Sequence, residues 1–223
     1  MPYPVGYQPF WNPEGTISGR AKILHQFDQF VERLNLILPE ITPNKKIIDI
    51  GCSLGWNSFE LNRIKDCNVV GVDKDEECID IGNNIIEKYK LDSNTISFKT
   101  SDVRSFFRDN QDTYYDYCVC FMLLHHFLEN KIKVRTLGDS FIMKKKGKEL
   151  LKQIQSQCKS MFLQVRLHET RQVNQLPADH KDVQLIDYLI DEIGFKSYKI
   201  LRSNTNEYFR APNLVYMFNS DED

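Results

Sequence analysis

Three polar clusters in the first half of the chain each follow an apolar run short enough to be a strand. A glycine turn occupies residues 51–55, Asp73 ends the next run, and residues 101–103 follow a third. The carboxyl ends of neighbouring parallel strands meet at one edge of a sheet, where open α/β sheets bind their ligands. A carboxylate such as Asp73 can accept hydrogen bonds from both hydroxyls of a ribose. The spacing therefore predicts a site for a nucleoside.

The glycine turn distinguishes between classes of nucleoside ligand. Gly51 permits a close backbone approach that a Cβ atom would block, and Gly55 lets the following helix begin tightly packed. A pyrophosphate, as in NAD, favours the spacing G-x-G-x-x-G at the start of a helix. This turn instead reads Gly-Cys-Ser-Leu-Gly. The sequence thus favours a ligand without a phosphate, with an NAD-dependent oxidoreductase as the weaker alternative.

Apolar strands alternate with helical stretches after Pro43, a pattern that is typical of βαβ units and a parallel sheet. Seven strands are predicted, at residues 46–50, 68–72, 95–99, 117–122, 161–165, 198–201 and 214–218. Helices are predicted at residues 57–64, 76–89, 148–157 and 182–193, the last ended by Gly194 in a left-handed conformation. The last two strands are close enough in sequence to pair as a hairpin, which places one antiparallel strand in the sheet.

Over residues 45–125 these features resemble the class I S-adenosylmethionine (SAM)-dependent methyltransferases, with Ser53 at the usual middle glycine of their D-x-G-x-G-x-G loop. The resemblance implies an α/β fold with a seven-stranded, mostly parallel, doubly wound sheet, an antiparallel last strand, and S-adenosyl-L-methionine as cofactor. It implies cofactor contacts from Asp49, Gly51, Cys52, Ser53, Gly55, Asp73, Lys74, Ser101, Asp102 and Val103. Lys74 would lie beside the ribose, and Asp102 would reach the adenine amino group, although Asp102 also suits a helix N-cap.

Residues 1–40 are predicted to form an N-terminal aromatic segment and cap helix, ahead of the SAM-binding domain at 41–223. Apolar residues recur at helical spacing from Ser18 until just before Pro39. The segment holds three aromatic side chains, Tyr7, Phe10 and Trp11. They either close over the cofactor as a lid or pack on the cap helix, and Arg20 is placed to neutralise the methionine carboxylate of SAM. The first half of the chain is loosely similar to glycan-modifying methyltransferases.

The methyl group of a sulfonium is already activated, so the enzyme must mainly align the acceptor and exclude water. Positioning of this kind supplies roughly 7–11 kcal/mol. A general base is needed when the acceptor is a hydroxyl or a protonated amine. Four candidates follow the fourth and fifth strands: His125, His126, His168 and Glu169. Glu169 suits the orienting of a basic His168, although each of these side chains equally suits a packing or loop role.

Composition limits the classes of partner. The chain has 223 residues, a net charge of −2, and apolar runs far below the roughly 18 residues of a membrane span, so a cytoplasmic protein is expected. That charge does not suit a general nucleic-acid binder, although Lys131–Lys152 is rich in basic residues. The six cysteines are expected to be reduced thiols, and no metal site is predicted.

The leading prediction is an enzyme that moves a methyl group from SAM to an oxygen, or less favourably a nitrogen, of a sugar, glycan end or small metabolite. One alternative is an RNA methyltransferase that uses Lys131–Lys152 for phosphate contacts. Another is a non-catalytic subunit of the same fold that binds and regulates a partner. The sequence identifies neither the methyl acceptor nor the oligomeric state.

Overall fold

The computed structural model describes residues 11–13, 30–127, 143–164, 185–202 and 214–221, and its centre is a seven-stranded sheet. The strands are β1 (Lys46–Ile50), β2 (Asn68–Asp73), β3 (Ile96–Thr100), β4 (Tyr115–Phe121), β5 (Cys158–Gln164), β6 (Ser197–Arg202) and β7 (Leu214–Asn219). Their order in the sheet is β3-β2-β1-β4-β5-β7-β6. Strands β1 to β5 pair in parallel, whereas β7 runs antiparallel to both β5 and β6.

Helices lie on both faces of this sheet. Those of the described ranges are α1 (30–37), α2 (Trp56–Lys65), α3 (Glu76–Tyr89), α4 (Val103–Asp109), α5 (Lys145–Gln157) and α6 (185–193). Helix α1 passes into a 3-10 turn at Leu38–Glu40, and α6 is wound as a π-helix over Tyr188–Ile193. Gly194 ends α6 with a φ of +98°, in the left-handed conformation predicted for it. No helix within these ranges has the length and apolarity needed to cross a membrane.

The predicted alternation of strands and helices and the terminal β6–β7 hairpin are confirmed. Helix α3 has the predicted bounds, and each strand overlaps its predicted range. Strand β5 starts earlier than predicted, at Cys158, directly after the last residue of α5. The polar residues at this junction resemble a loop in sequence. Ser160 is nevertheless buried, because its hydroxyl donates to Asn219 Oδ1 of the neighbouring β7 at 2.9 Å.

Two differences concern helices. Helix α4 is missing from the sequence prediction, because its seven residues are too few to display an apolar period. It is held by Val103 and Phe107, which are one turn apart and buried against the sheet. Of the predicted cap helix that begins at Ser18, residues 30–37 are described and helical, and the preceding part lies outside the described residues.

The apolar core consists of two layers, one on each face of the sheet. Successive residues of a strand point to opposite faces, so Ile47 joins one layer and Ile48 the other. Helices α1, α2 and α3 cover the first face, and α4, α5 and α6 cover the second. Parallel strands buried on both faces are continuously apolar, which is why the sequence runs were recognisable as strands.

Phe98 of β3 occupies a slot that three glycines leave open. A Cβ atom on Gly55 or on Gly71 would overlap the Phe98 ring, and one on Gly82 would stand 3.0 Å from its Cδ2. Phe98 is only 4% exposed, and its ring lies 5.1 Å from that of Phe59 on α2. Absent side chains in β2, α3 and the glycine turn therefore allow these three elements to close around one ring.

We predict that Gly71→Ala destabilises the fold by about 1–3 kcal/mol, the usual cost of an extra methyl in a packed core. Urea denaturation of the purified protein measures this loss. Phe98→Leu should destabilise by itself, yet in the Gly71→Ala background it should restore part of the lost stability, because the smaller side chain makes room for the methyl. Strictly additive losses in the double variant would show that the methyl and the ring do not compete for space.

Candidate cofactor site

The candidate site lies at the edge of the sheet where β1 to β5 end. Strand β1 lies between β2 and β4 in the sheet, and the strand order reverses at this point. A crevice therefore opens between the loops that follow β1 and β4. The ends of β1 and β2 and the loops after β1, β2, β3 and β4 contain most of the predicted cofactor residues and the histidine pair. The topology thus brings to one edge groups that are far apart in sequence.

The glycine turn after β1 has three residues in the left-handed region. The φ angles are +69° at Gly51, +52° at Ser53 and +78° at Gly55. The N–H groups of Gly51 and Cys52 both donate to the Val72 carbonyl of β2, at 2.8 and 3.2 Å. Ser53 stands where the resembled family usually has a glycine, and its backbone has the left-handed conformation that glycine favours.

A Cβ atom on Gly51 would approach Leu123 Cδ1 to 3.1 Å. Leu123 belongs to the loop after β4, on the other side of the crevice. The missing side chain therefore lets the loops after β1 and β4 come together. The approach seen at Gly51 is that of a protein side chain, and its contact with the cofactor stays a prediction.

Asp73 connects the glycine turn with the start of α3. Its Oδ2 accepts a hydrogen bond from the Ser53 N–H at 2.9 Å, and its Oδ1 accepts one from the Asp75 N–H at 3.0 Å. Ionised acceptors make stronger hydrogen bonds than neutral ones. Each carboxylate oxygen has a second lone pair, so Asp73 can hold both loops and still accept from a ribose. The ribose contact stays a prediction.

The remaining predicted nucleoside residues surround Asp73. The Ser101 N–H donates to the Asp73 carbonyl at 2.9 Å, and Lys74 is exposed. Asp102 is the N-cap of α4, where its Oδ1 accepts hydrogen bonds from the backbone N–H groups two and three residues later in the chain. The capping alternative is therefore realised, and the adenine contact remains a prediction. Val103 is buried at the start of α4.

Asp49 of β1 is buried, with 2% of its surface exposed, and its Oδ2 accepts a hydrogen bond from Ser58 Oγ of α2 at 2.7 Å. The pKa of Asp49 is raised to about 7, mainly by burial; the Ser58 hydrogen bond lowers the pKa and the charge of Asp73 raises it by a smaller amount. This pair fixes the start of α2 against the end of β1. Ser58 carries no motif in the sequence, and the only signal for it is a hydroxyl one turn into the helix after the glycine turn.

On the acceptor side, the loop after β4 starts with Met122, whose φ of +57° is unusual for a residue with a side chain. Its N–H donates to the Gln164 carbonyl at the end of β5, at 2.9 Å. His125 and His126 follow in the 3-10 turn Leu124–Phe127, where His126 is half-buried. The turn thus stands at the same edge as the glycine turn.

Several predicted residues fall beyond what the structure describes. Arg20, His168 and Glu169 lie outside the described residues, as does the side chain of His125. Their predicted roles are therefore untested.

The aromatic leader is represented by Trp11, which packs inside the first core layer. Its ring stacks on Phe59 at 4.7 Å, and its Nε1 donates to Glu60 Oε1 at 2.6 Å. Tyr89 at the end of α3 approaches it edge-on at 6.0 Å. Trp11 therefore packs between α2 and α3, whereas the packing alternative named the cap helix. Tyr7 and Phe10 lie outside the described residues.

The basic segment is described from Met143 onward. Lys145 and Lys146 are exposed in the first turn of α5, and Lys148 pairs with Glu192 of α6 at 3.1 Å. All six cysteines are free thiols, and Cys118 and Cys120 are buried in the second core layer. No cluster of His, Cys, Asp and Glu that could hold a metal occurs among the residues described.

Comparisons with known proteins agree with this geometry. Residues 47–141 match the sequence model of a family described as a methyltransferase domain. Sterol 24-C-methyltransferase of Debaryomyces hansenii is 36% identical over 63 residues, which are 28% of this chain and 16% of that protein. This chain thus spans about one sixth of the length of that relative.

Two solved structures share the fold. The bifunctional kinase-methyltransferase WbdD matches with a TM-score of 0.59 and 17% identity, over 98% of this chain and 44% of that chain. Magnesium protoporphyrin IX methyltransferase (ChlM) from Synechocystis PCC 6803, solved with bound SAM, matches with a TM-score of 0.54 and 16% identity. That match covers 87% of this chain and 79% of the other.

The buried Asp49 should make stability depend on pH in a definite direction. Its folded pKa of about 7 is above its ordinary value of 3.8, so the folded protein holds a proton that the unfolded chain releases. Stability should therefore fall as the pH rises from about 4 to 7. Asn keeps the shape of Asp49 without the charge, so the stability of Asp49→Asn should not fall in this way. As the pH rises from 5 to 8, the free energy of unfolding of the variant should increase relative to that of the native protein by at least about 1 kcal/mol.

Urea denaturation at four pH values measures this difference. Ser58→Ala removes the bond that lowers the pKa of Asp49, so it should move the pH window upward. A pH-independent gap between Asp49→Asn and the native protein would contradict the assignment.

Proposed function

We propose that this chain is a class I S-adenosylmethionine-dependent methyltransferase, with S-adenosyl-L-methionine as its cofactor, and that it methylates an oxygen of a sugar, glycan end or small metabolite. A nitrogen is the less favoured acceptor atom. The observation that carries the proposal is the hydrogen bond from the Ser53 N–H to Asp73 Oδ2 at 2.9 Å. It joins the glycine turn and the strand-end acid at one point of the sheet edge, as a nucleoside cradle requires.

The bound cofactor would supply an electrophilic methyl on a sulfonium, and the residues of this chain would position and protect it. Gly51 and Gly55 keep the turn narrow, and Asp73 receives the ribose hydroxyls. The loop after β4, with Met122 and His126, forms the facing wall, where an acceptor would be aligned and water excluded. Lys74 and Asp102 are assigned to the adenosine, and Arg20 to the methionine carboxylate.

An oxygen acceptor is supported by the bases available near this wall. A hydroxyl must lose its proton during transfer, and imidazole is suited to accept a proton near neutral pH. His125 and His126 follow β4, and we assign His168, oriented by Glu169, to the segment after β5. A glycan acceptor is supported by the loose resemblance of the first half of the chain to glycan-modifying methyltransferases, whereas the WbdD match, at 17% identity, supports the methyltransferase fold.

Calorimetry with SAM, S-adenosylhomocysteine and NADH tests the proposal at its first step. Binding of the two adenosyl-sulfur compounds without NADH is the expected result. Release of S-adenosylhomocysteine on addition of sugars, oligosaccharides, small alcohols or RNA then identifies the acceptor class. An RNA methyltransferase would lose RNA affinity steeply with salt, and a regulatory subunit would bind cofactor poorly and release nothing.

We predict that Asp73→Ala weakens SAM binding at least tenfold, because the variant loses the ribose acceptor and the tie to Ser53. Isothermal titration calorimetry measures the change. Asp80 on α3 is exposed, so Asp80→Ala is a matched control that should bind SAM like the native protein. Unchanged affinity in Asp73→Ala would contradict the ribose role.

We predict that His168→Ala slows turnover with nearly intact cofactor affinity, because a base acts only in the transfer step. The loss expected for one general base is about 10²–10⁴-fold in kcat. His126→Ala, measured in parallel, shows whether the histidine after β4 contributes instead. A fully active His168→Ala variant would eliminate His168 as the base.

A further inference from the structure

Three consecutive lysines at the start of α5, Lys144–Lys146, form a positively charged patch that we call the lysine surface. Two of them are exposed and the first is half-buried. Within the described residues, no carboxylate forms an ion pair with any of the three. Neighbouring carboxylates are engaged elsewhere: Glu149 pairs with Arg104 of α4 at 3.7 Å, and Glu192 of α6 pairs with Lys148 at 3.1 Å. The lysine surface therefore keeps its positive charge.

The lysine surface lies at the same edge of the sheet as the candidate cofactor site. Helix α5 leads directly into the start of β5, at the opposite edge, so its own first turn lies at the ligand-binding edge. The Lys144 N–H donates to the Phe127 carbonyl of the 3-10 turn after β4 at 2.9 Å. Gly147 permits this approach, because a Cβ atom there would stand 2.7 Å from Phe127 Cβ. The lysine surface thus adjoins the turn that contains His126, on the acceptor side of the crevice.

The charges at the start of α5 are arranged unfavourably for the free protein. The N-terminus of a helix carries a partial positive charge, so that cations destabilise it and anions stabilise it. The first turn of α5 nevertheless contains no acidic residue, and no side chain caps it. Adjacent lysines also repel one another. An anion bound at the lysine surface would offset both effects.

The extent of the lysine surface suits one anionic group. Three consecutive helical residues cover only about 3 Å of the helix axis. A nucleic acid is held through several phosphates, and the same edge of the sheet exposes two carboxylates, Glu76 and Glu77, in the first turn of α3. These acids would repel a long polyanion that crossed the edge. The charge distribution therefore favours a small acceptor with one anionic group over RNA.

We propose that the lysine surface binds a phosphate or carboxylate group on the methyl acceptor. The inference rests on the proposed function and narrows its acceptor to an anionic sugar or metabolite. The anionic group contacts Lys145 and Lys146, and a hydroxyl of the same molecule lies towards His126 and the crevice. Hydrogen bonds between an ammonium and an anionic oxygen are stronger than neutral ones. Holding the acceptor at a second point would align its hydroxyl for transfer.

The test is an NMR titration of the protein with glucose 6-phosphate, glucuronate and glucose, with and without S-adenosylhomocysteine. The two anionic sugars should shift the backbone amides of Lys145 and Lys146 in a saturable way and bind at least tenfold more tightly than glucose. Their affinity should fall as salt is added, because both partners are exposed charges. The tighter of the two identifies the anionic group as phosphate or carboxylate.

Lys145→Gln/Lys146→Gln removes two charges from the lysine surface and should weaken binding of both anionic sugars at least fivefold. Lys152→Gln/Lys159→Gln is the matched control. It removes the same charge from exposed positions later in α5 and in β5, so it should bind like the native protein. Equal binding of glucose and the anionic sugars, or equal losses in the two variants, would overturn the inference.

A short single-stranded RNA is titrated in parallel. RNA binding that is tighter than sugar binding and is lost in Lys145→Gln/Lys146→Gln would overturn the inference in favour of a nucleic-acid acceptor. The proposed function is tested separately by binding of S-adenosylhomocysteine. Its absence would overturn that function, whereas saturable binding of the anionic sugars is measured without the cofactor product as well.

Discussion

The geometry of the site depends on one carboxylate. Asp73 accepts from Ser53 with one oxygen and from Asp75 with the other, so the turn after β1 and the turn before α3 are held by the same side chain. The strained φ of Ser53 is thereby fixed by a charge-assisted bond. A ligand that uses Asp73 meets loops that are already ordered, which reduces the entropy lost on binding.

Much of the fold, and the placement of the glycine turn and Asp73 at one edge of the sheet, could be predicted from the sequence because they depend on local patterns. Parallel strands that are buried on both faces of the sheet appear in the sequence as apolar runs, and the glycine turn and Asp73 directly follow or end such runs. Helix α4 and the first residues of β5 escaped prediction for the opposite reason. A short helix shows no period, and Ser160 is buried only because Asn219, far away in sequence, satisfies its hydroxyl.

The same distinction applies to individual side chains of the site. Asp49 belongs to a recognisable motif, but its partner Ser58 and its raised pKa follow from three-dimensional packing. Trp11 offered two interpretations in sequence, a lid over the cofactor or packing on the cap helix, and its ring instead stacks on Phe59 of α2. Contacts across layers are not encoded in spacing, so sequence patterns identify which residues matter more readily than what they touch.

The direct passage of α5 into β5 has a consequence for how such a protein can diverge. Gln157 is the last helical residue and Cys158 the first strand residue, so no hinge separates them. An insertion there would shift the register of β5 against β4 and β7 and turn its buried side chains to the wrong layer. Changes of loop length are therefore excluded at this junction, and the connection can diverge only by substitution.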